Sequence, residues 1–263
     1  MKFTNLLAAG ALATSLVSPV VMAADAIPTT PGMSDAQKKD IEKVIHDYLV
    51  SNPEVLLEAS QALQQKQQQN AQQQAQSAIQ ENAAQLFQGK FTTTGNPKGS
   101  VTVVEFFDYQ CIHCKKMSPT LDSLVKKDRD LRVIYKEFPI FGKSSELASR
   151  VALAAGMQGK YQAMHEAIFK IEKRLDSKLL MEAAKSIGLD MAKLKTDMES
   201  KEVTAILDDN RQLAEKLHLM GTPAFIVAAT PDGKLKAGTE PSFVPGAASE
   251  ESLQELIKKA AGN

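Results

Sequence analysis

The sequence predicts an α/β protein with a long helical insertion, preceded by a helical N-terminal segment. Apolar runs bounded by turn residues predict buried strands over 101–107, 131–136 and 224–228. Helical periodicity follows the first strand and fills about 144–220, between the second and third strands. The 263 residues provide enough chain for one or two domains.

The end of the chain completes this order of elements. Pro231-Asp232-Gly233 predicts a hairpin turn after the third strand, so a fourth strand is expected beyond it. Ser249 precedes a helical pattern of Leu253, Leu256 and Ile257 and predicts the start of a C-terminal helix. We place this whole α/β region at residues 91–263.

Charge and cysteine content exclude several classes of protein. The chain has 31 basic and 31 acidic side chains and no basic block, which argues against a nucleic-acid partner. Its two cysteines are too few for a disulfide-stapled small domain, and no paired histidines complete a four-ligand zinc site. We expect no metal or other cofactor.

The first 23 residues are typical of a secretory signal peptide. Lys2 precedes a short apolar run, and small residues end the segment at Ala23, with Ala24 as the alternative cleavage site. Residues 24–33 contain two prolines and a glycine and predict a flexible lead-in. We expect an exported protein of the bacterial periplasm, where disulfides form; association with the outer membrane or the cell surface remains open.

Residues 34–90 predict a helical, glutamine-rich dimerisation arm. After Ser34, apolar residues recur at helical spacing from Ile41 to Leu49. Asn52 and Pro53 favour the start of a second helix, which carries a weak heptad pattern of alanine and glutamine as far as Gly89. Such a helix lacks a core of its own, so we expect it to pair with a second copy. A disordered glutamine-rich spacer is the alternative.

The two cysteines form a single Cys-Ile-His-Cys motif where the first strand meets its helix. At the N-cap, Cys111 would meet the positive end of the helix dipole, and His113, Lys115 and Lys116 follow closely. This environment stabilises a thiolate and makes a disulfide between the two cysteines oxidising. We therefore predict redox activity, with Cys111 as the exposed nucleophile and Cys114 as the resolving thiol. A structural disulfide or a metal site is the alternative.

Three segments in order resemble the DsbA-type periplasmic thiol–disulfide oxidoreductases. They are EFFDYQCIHCKKMSPTL, KEFPIFGKSSELASRVALAAGMQGKYQAMHEAIF and GTPAFIV, within about residues 98–260. The resemblance implies a thioredoxin fold with a helical insertion. YLVSNPEVLLEA is similar to the leading region of longer, dimeric DsbA-like proteins, which implies a homodimer.

The resemblance also implies roles for three further residues. Glu105 matches the family's acidic residue beneath the active site, where burial would raise its pKa and let it take the proton of Cys114. Thr222-Pro223 matches the cis-proline loop, which could pair with a substrate strand beside Cys111. The alternatives are a structural or exposed glutamate and an ordinary proline at the start of a strand.

Two departures from the family bear on activity. Ile112 stands where the best-known DsbA site has proline, and Thr222 before the proline resembles the disulfide isomerases DsbC and DsbG. We therefore expect an enzyme that forms and also isomerises disulfides. Its partners would be reduced or misoxidised secreted proteins and a membrane redox partner that reoxidises or reduces the site.

The remaining histidines and methionines are expected to be structural. We place His46 on the surface of the first helix and His165 in packing, and we assign no role to His218, although it lies near the proline loop. The methionines of the insertion are interpreted as packing residues. Alternative functions are a dedicated isomerase or reductase, and a holdase or surface-associated thiol protein without turnover.

Overall fold

The computed structural model describes residues 33–262. The chain divides into two compact units, described here from residue 33 to Gln61 and from Ala62 to residue 262. The predicted signal peptide and nearly all of the predicted lead-in lie outside the described residues. Within 33–262, no helix is both long and apolar enough to cross a membrane.

The first unit contains α1 (Asp35–Ser51) and the beginning of α2 (Glu54–Glu81). Ser34 caps α1 through a capping box, in which its hydroxyl accepts from the backbone of Gln37 while the Gln37 side chain accepts from the Ser34 N–H. Helix α1 has no buried residue. Its apolar side chains, predicted to be unpartnered within one copy, are exposed: Ile41, Val44, Ile45, Tyr48 and Val50.

The second unit is built on a mixed five-stranded sheet. The strands are β1 (Thr93–Gly95), β2 (Val101–Phe107), β3 (Leu131–Glu137), β4 (Ala224–Ala229) and β5 (Ser242–Pro245). Their order is β1-β3-β2-β4-β5, with β2 parallel to β3 and the other pairs antiparallel. Every residue of β2, β3 and β4 is buried, as the near-continuous apolar runs predict.

Helices cover both faces of this sheet. The helices of the second unit after α2 are α3 (Ala83–Leu86), α4 (Ile112–Lys127), α5 (Lys143–Gly156), α6 (Tyr161–Phe169), α7 (Ser177–Ser186), α8 (Met191–Asp197), α9 (Lys201–Lys216) and α10 (Glu250–Ala261). The predicted insertion is thus α5–α9, and Ser249 caps α10 through its hydroxyl as predicted. One core cluster joins α4, the insertion and α10 to one face of the sheet.

The other face is covered by the end of the glutamine-rich segment. Ile79, Leu86 and Phe87 pack with Phe106 and Ile134 of the sheet, in a cluster completed by α9. The helix breaks at Asn82 rather than at Gly89, and Lys136 donates to the carbonyl groups of Gln85 (3.0 Å) and Gln88 (2.7 Å). The compact unit therefore begins before residue 91, because these apolar residues have a partner in the sheet.

Strand β1 was not expected from the sequence. Its three residues, Thr93–Gly95, pair antiparallel with the outer side of β3. Gly95 has φ 76°, and a Cβ there would lie 2.4 Å from the Leu131 carbonyl oxygen. After β4, Pro231–Gly233 forms a short 3₁₀ turn, and a loop leads to β5, the predicted fourth strand.

Candidate active site

Cys111 occupies the N-cap of α4, as predicted. Its backbone is extended (φ −74°, ψ 116°), and its sulfur accepts a hydrogen bond from the Cys114 N–H at 3.4 Å. An unpaired N–H of the first helical turn therefore points at the sulfur, which favours its thiolate. The two cysteines are present as free thiols.

The expectation that Cys111 is exposed is wrong. Only 4% of Cys111 and none of Cys114 is accessible, whereas Ile112 and His113 between them are exposed. The reason is the loop before β4, because the Cys111 thiol donates to the Thr222 carbonyl at 3.2 Å. A thiol that attacks Cys111 must therefore approach along this loop.

The Thr222–Pro223 peptide bond is cis, as the resemblance implied. Pro223 is buried at the start of β4, and the Thr222 hydroxyl is buried without a hydrogen-bond partner. The Thr222 backbone carbonyl is the group that meets Cys111. His218, four residues earlier, is exposed and has φ 53°.

Glu105 lies at the centre of β2, beneath the cysteines. It is 1% exposed and pairs in register with Tyr135 of β3 and Phe225 of β4. Burial, and then the charges of Cys111 and Glu137, raise the pKa of Glu105 well above its usual range. Its Oε1 has no hydrogen-bond partner. The expected buried carboxyl is therefore present, and it holds a proton near neutral pH.

Cys114 is the more deeply placed thiol. Burial, followed by the charge of Glu105, raises the pKa of Cys114 far above its usual range. A Cys114 thiolate is therefore a strong base, and it takes a proton as soon as it forms. The two sulfurs have the unequal environments that the motif predicts: Cys111 at a helix terminus and Cys114 in an apolar interior.

The cations after the motif contribute less than the sequence suggested. Lys115 donates to the Ile171 carbonyl at 2.8 Å, so its ammonium is engaged away from the sulfurs. His113 and Lys116 are exposed on the first turns of α4. The helix terminus and the imidazole of His113 remain as the groups next to Cys111.

Asp108 was missed by the sequence reasoning. It is fully buried, and its carboxylate accepts from the backbone N–H groups of Gln110 (2.7 Å), Ile140 (2.7 Å) and Phe141 (3.0 Å). Its own carbonyl accepts from the Cys111 N–H at 3.1 Å. Asp108 thus ties the active-site turn to the loop after β3. The local signal was an Asx turn directly before the motif.

Glu137 was also missed. Its buried carboxyl accepts hydrogen bonds from Tyr161 (2.7 Å), Tyr109 (3.2 Å) and Ser149 (2.7 Å). Burial nevertheless raises its pKa to about 8. His165, predicted to be a packing residue, lies in the core with its Nδ1 3.1 Å from the Tyr109 hydroxyl, and burial lowers its pKa to about 3.

Apolar side chains on the surface surround the motif. Among the described residues of the second unit, five large apolar side chains are exposed: Leu63, Ile112, Ile140, Phe141 and Met220. All except Leu63 lie beside Cys111, on the loop tied by Asp108, or just before Thr222. Met220 is 99% exposed. Two clefts open here, one lined by Ile112, Phe169 and Lys173, and one lined by Leu219, Pro223 and Phe243.

Comparison with known families decides the assignment of this fold and site. The model of the DSBA-like thioredoxin domain matches residues 102–258. The chain belongs to this family. The model of the copper resistance protein ScsC N-terminal domain matches residues 37–70, so the helical N-terminal region is similar to that of ScsC. The thioredoxin-like fold predicted from the motifs is confirmed.

Solved structures of similar proteins extend over much of this DSBA-like chain. A thioredoxin-like oxidoreductase from Silicibacter pomeroyi DSS-3 is 37% identical, with a TM-score of 0.60, over 68% of this chain and 96% of that chain. Salmonella enterica Typhimurium BcfH is 32% identical, with a TM-score of 0.73, over 86% of this chain and 96% of that chain.

Matches to curated relatives cover only part of those proteins. DsbA of Bordetella pertussis is 32% identical over 49% of this chain and 64% of its own length. The Na⁺/H⁺ antiporter NhaA 1 of Salinispora arenicola is 24% identical over 51% of this chain, which spans only 21% of the antiporter.

Within the described residues, no group of three or more histidine, cysteine, aspartate or glutamate side chains is arranged to hold a metal ion.

Proposed function

We propose that the protein is an exported thiol:disulfide oxidoreductase that forms and isomerises disulfides in secreted proteins. The observation that carries this proposal is the position of Cys111: its sulfur lies at the N-terminus of α4, against the Thr222 carbonyl of the cis-proline loop. A thiol stabilised as thiolate beside an exposed strand-like backbone is suited to hold and exchange a client cysteine.

Oxidation of a client proceeds in two displacements. A client thiolate attacks Cys111 Sγ of the Cys111–Cys114 disulfide, the S–S bond breaks, and Cys114 leaves as a thiolate that takes a proton from Glu105. A second client thiolate then attacks the client sulfur of the mixed disulfide and releases Cys111. The client loses two electrons and gains one disulfide, while the enzyme gains two electrons and becomes the dithiol.

Isomerisation uses the dithiol form. The Cys111 thiolate attacks a wrong client disulfide, a client thiolate is released, and it attacks a different sulfur of the same chain before Cys111 is expelled. No net oxidation occurs. If the client stalls, the Cys114 thiol gives its proton to Glu105 and displaces it, which regenerates the enzyme disulfide.

Clients are held by backbone pairing and apolar contact. The Thr222 carbonyl can accept from an extended client strand, although in the dithiol form Cys111 occupies it. The exposed side chains of Ile112, Phe141 and Met220 surround this position and suit the apolar segments of unfolded chains. His113 is proposed to support the Cys111 thiolate through its positive charge.

The arm is proposed to join copies of the chain. The exposed stripe of α1, from Ile41 to Val50, has the helical spacing that pairs with an identical stripe, and a homodimer is the smallest closed assembly. Two Cys111 sites in one assembly would keep a client close between successive attacks, which isomerisation needs. A membrane redox partner in the periplasm would reset the site after each turnover.

A turnover assay tests the proposal. Excess reduced peptide and scrambled ribonuclease are each supplied with trace enzyme and a redox buffer. We expect many catalytic cycles per Cys111 site in both assays. Stoichiometric release of one disulfide and no more would overturn the enzyme assignment and favour a thiol-bearing binding protein.

A further inference from the structure

The core beneath the cysteines contains buried polar atoms without partners. Among the described residues these atoms are Glu105 Oε1, Tyr135 Oη, Gln162 Oε1, His165 Nε2 and Thr222 Oγ1. Proteins rarely leave such atoms unpaired, so each one requires an explanation. Three of them lie on side chains that are neighbours in one sequence of contacts, from the active site toward the surface.

The inner two are fixed by strand register. Glu105 of β2 and Tyr135 of β3 are direct partners in a parallel pair, so their side chains leave the same face of the sheet side by side. Each is about 1% exposed. The charge of Glu105 acts on the Tyr135 hydroxyl and contributes to the raised pKa of that phenol, after the larger effect of burial.

The outer part lies on two helices. Gln162 of α6 is a side-chain neighbour of Tyr135. Its Nε2 donates to Glu166 Oε1 at 3.1 Å and to Asp122 Oδ1 of α4 at 3.4 Å. Because both carboxylates accept from the amide nitrogen, the orientation of the amide is determined, and its oxygen is left to accept from within the core.

The two carboxylates form the surface end of this series. Asp122 and Glu166 are partly exposed, with Lys126 and Lys170 acting on Asp122 from the same two helices. Burial, followed by the charge of Glu166, raises the pKa of Asp122, whereas the two lysines lower it. A carboxyl placed in this way can exchange protons with solvent.

The proposed chemistry needs such a series. When Cys114 leaves as a thiolate, Glu105 gives it a proton and becomes a buried carboxylate. Glu105 must then recover one proton from water before the next cycle, yet neither residue is accessible. A carboxylate left charged at this depth would be strongly unfavourable, so slow proton return would limit turnover.

We propose that the Tyr135 hydroxyl relays protons between Glu105 and the Asp122–Glu166 pair, with Gln162 as its positioning residue. The inference rests on the proposed thiol–disulfide exchange. In the oxidising direction, the O–H of Tyr135 donates to the Glu105 carboxylate as the phenol oxygen takes a proton from the side of Gln162 and Asp122. One proton enters from solvent for each proton that Cys114 binds, and no charge accumulates.

The experiment compares Tyr135→Phe with Tyr161→Phe in the full-length protein. Tyr161 is a buried hydroxyl in the same core that binds Glu137 and lies outside the relay, so its loss controls for the removal of a buried O–H. Reduction of the enzyme disulfide by a thiol peptide is followed by stopped flow in H₂O and D₂O. The equilibrium reduction potential of each variant is measured separately.

We expect Tyr135→Phe to slow the exchange by about tenfold, to increase the solvent isotope effect and to leave the reduction potential unchanged. Tyr161→Phe should leave rate and isotope effect near the wild-type values. Gln162→Met, on a partly exposed helix face, should give a smaller slowing of the same kind and serves if Tyr135→Phe does not fold.

Two outcomes separate the hypotheses. A wild-type protein that exchanges rapidly while neither Tyr135→Phe nor Gln162→Met alters rate or isotope effect would overturn the relay and leave the proposed function intact. A wild-type protein without thiol–disulfide exchange would overturn the proposed function itself. A changed reduction potential with an unchanged isotope effect would assign Tyr135 a structural role only.

Discussion

The two units of the molecule place side chains in opposite ways. The second unit encloses polar groups that usually lie in water, among them Glu105, Asp108, Glu137 and His165. The first unit exposes apolar groups that usually lie in a core, such as Ile45 and Tyr48 on α1. Each arrangement costs free energy in an isolated chain, and each identifies a place where the chain does something more than fold.

The difference separates two kinds of function. Buried carboxyls within one compact unit serve chemistry that this unit performs alone, because proton transfer needs groups fixed at short range. An exposed apolar helix serves an interaction that one copy lacks. Changes in the second unit should therefore alter chemistry without altering assembly, and changes in the first should do the reverse.

The largest expected effect is loss of the nucleophile. Cys111→Ala should abolish oxidation and isomerisation, because both begin at this sulfur. Cys114→Ala should instead accumulate mixed disulfides with clients, since the resolving thiol is gone. Non-reducing gels of client mixtures measure both. Turnover by Cys111→Ala would show that the nucleophile is misassigned, and both variants should keep the oligomeric state of the wild type.

The second effect concerns the arm. Ile45→Glu places a charge in the apolar stripe of α1 and should lower the mass in solution and remove most isomerase activity. Peptide oxidation should remain. His46→Glu, on the exposed polar side of the same helix, is the matched control. Light scattering and scrambled-ribonuclease refolding are the measurements.

An arm without function would give a different result. If Ile45→Glu retains both mass and isomerase rate, the segment is a spacer. A deletion that begins at Gly95 is a poorer test, because Ile79, Leu86 and Phe87 pack against the sheet and their loss would destabilise the second unit. The structure therefore favours point substitutions in α1.

The third effect is a pH dependence of stability. Burial raises the pKa of Glu137 from its ordinary 4.5 to about 8, so between these values the folded state keeps a proton that the unfolded state releases. Stability should fall as pH rises through this window, with a contribution of about 1.4 kcal/mol per pH unit from this one group. Urea unfolding at pH 5, 6 and 7 measures the slope.

Glu137→Gln should reduce this slope, because its amide stays neutral. Glu105 contributes a slope of the same sign, so part of the dependence should persist in the variant. Equal slopes in the wild type and in Glu137→Gln would contradict the raised pKa of Glu137.

The smallest effect is expected at His113. Its exposed imidazolium favours the reduced, thiolate form of Cys111, so His113→Ser should lower the reduction potential by about 30 mV, equivalent to about tenfold in the equilibrium constant. Equilibration with glutathione measures it. Lys116→Gln controls for the loss of an exposed charge on the same helix. An unchanged potential in His113→Ser would leave the helix terminus as the cause.

Features encoded by neighbouring residues were predictable, and features made by distant ones were not. Strand β2 and the N-cap position of Cys111 follow from adjacent residues. The burial of Cys111 depends on Thr222, 111 positions away in the chain. The Glu137 network takes its hydroxyls from Tyr109, Ser149 and Tyr161, on three different segments, so no local pattern announced it.

The same limit explains β1 and the arm boundary. Thr93–Gly95 carries no apolar alternation, and it becomes a strand because β3 offers an open edge. Ile79 and Leu86 have the same seven-residue spacing as a coiled-coil seam, yet they pack on the sheet within one chain. Periodicity identifies a helix face but does not identify what covers it.

The two edge strands have a consequence for the company this protein is proposed to keep. β1 has three residues and β5 has four, the last of them a proline. A sheet recruits foreign strands through long rows of free N–H and C=O groups at its borders, and these borders are too short to template such growth. A protein that meets unfolded chains in quantity is thereby protected from joining their aggregates.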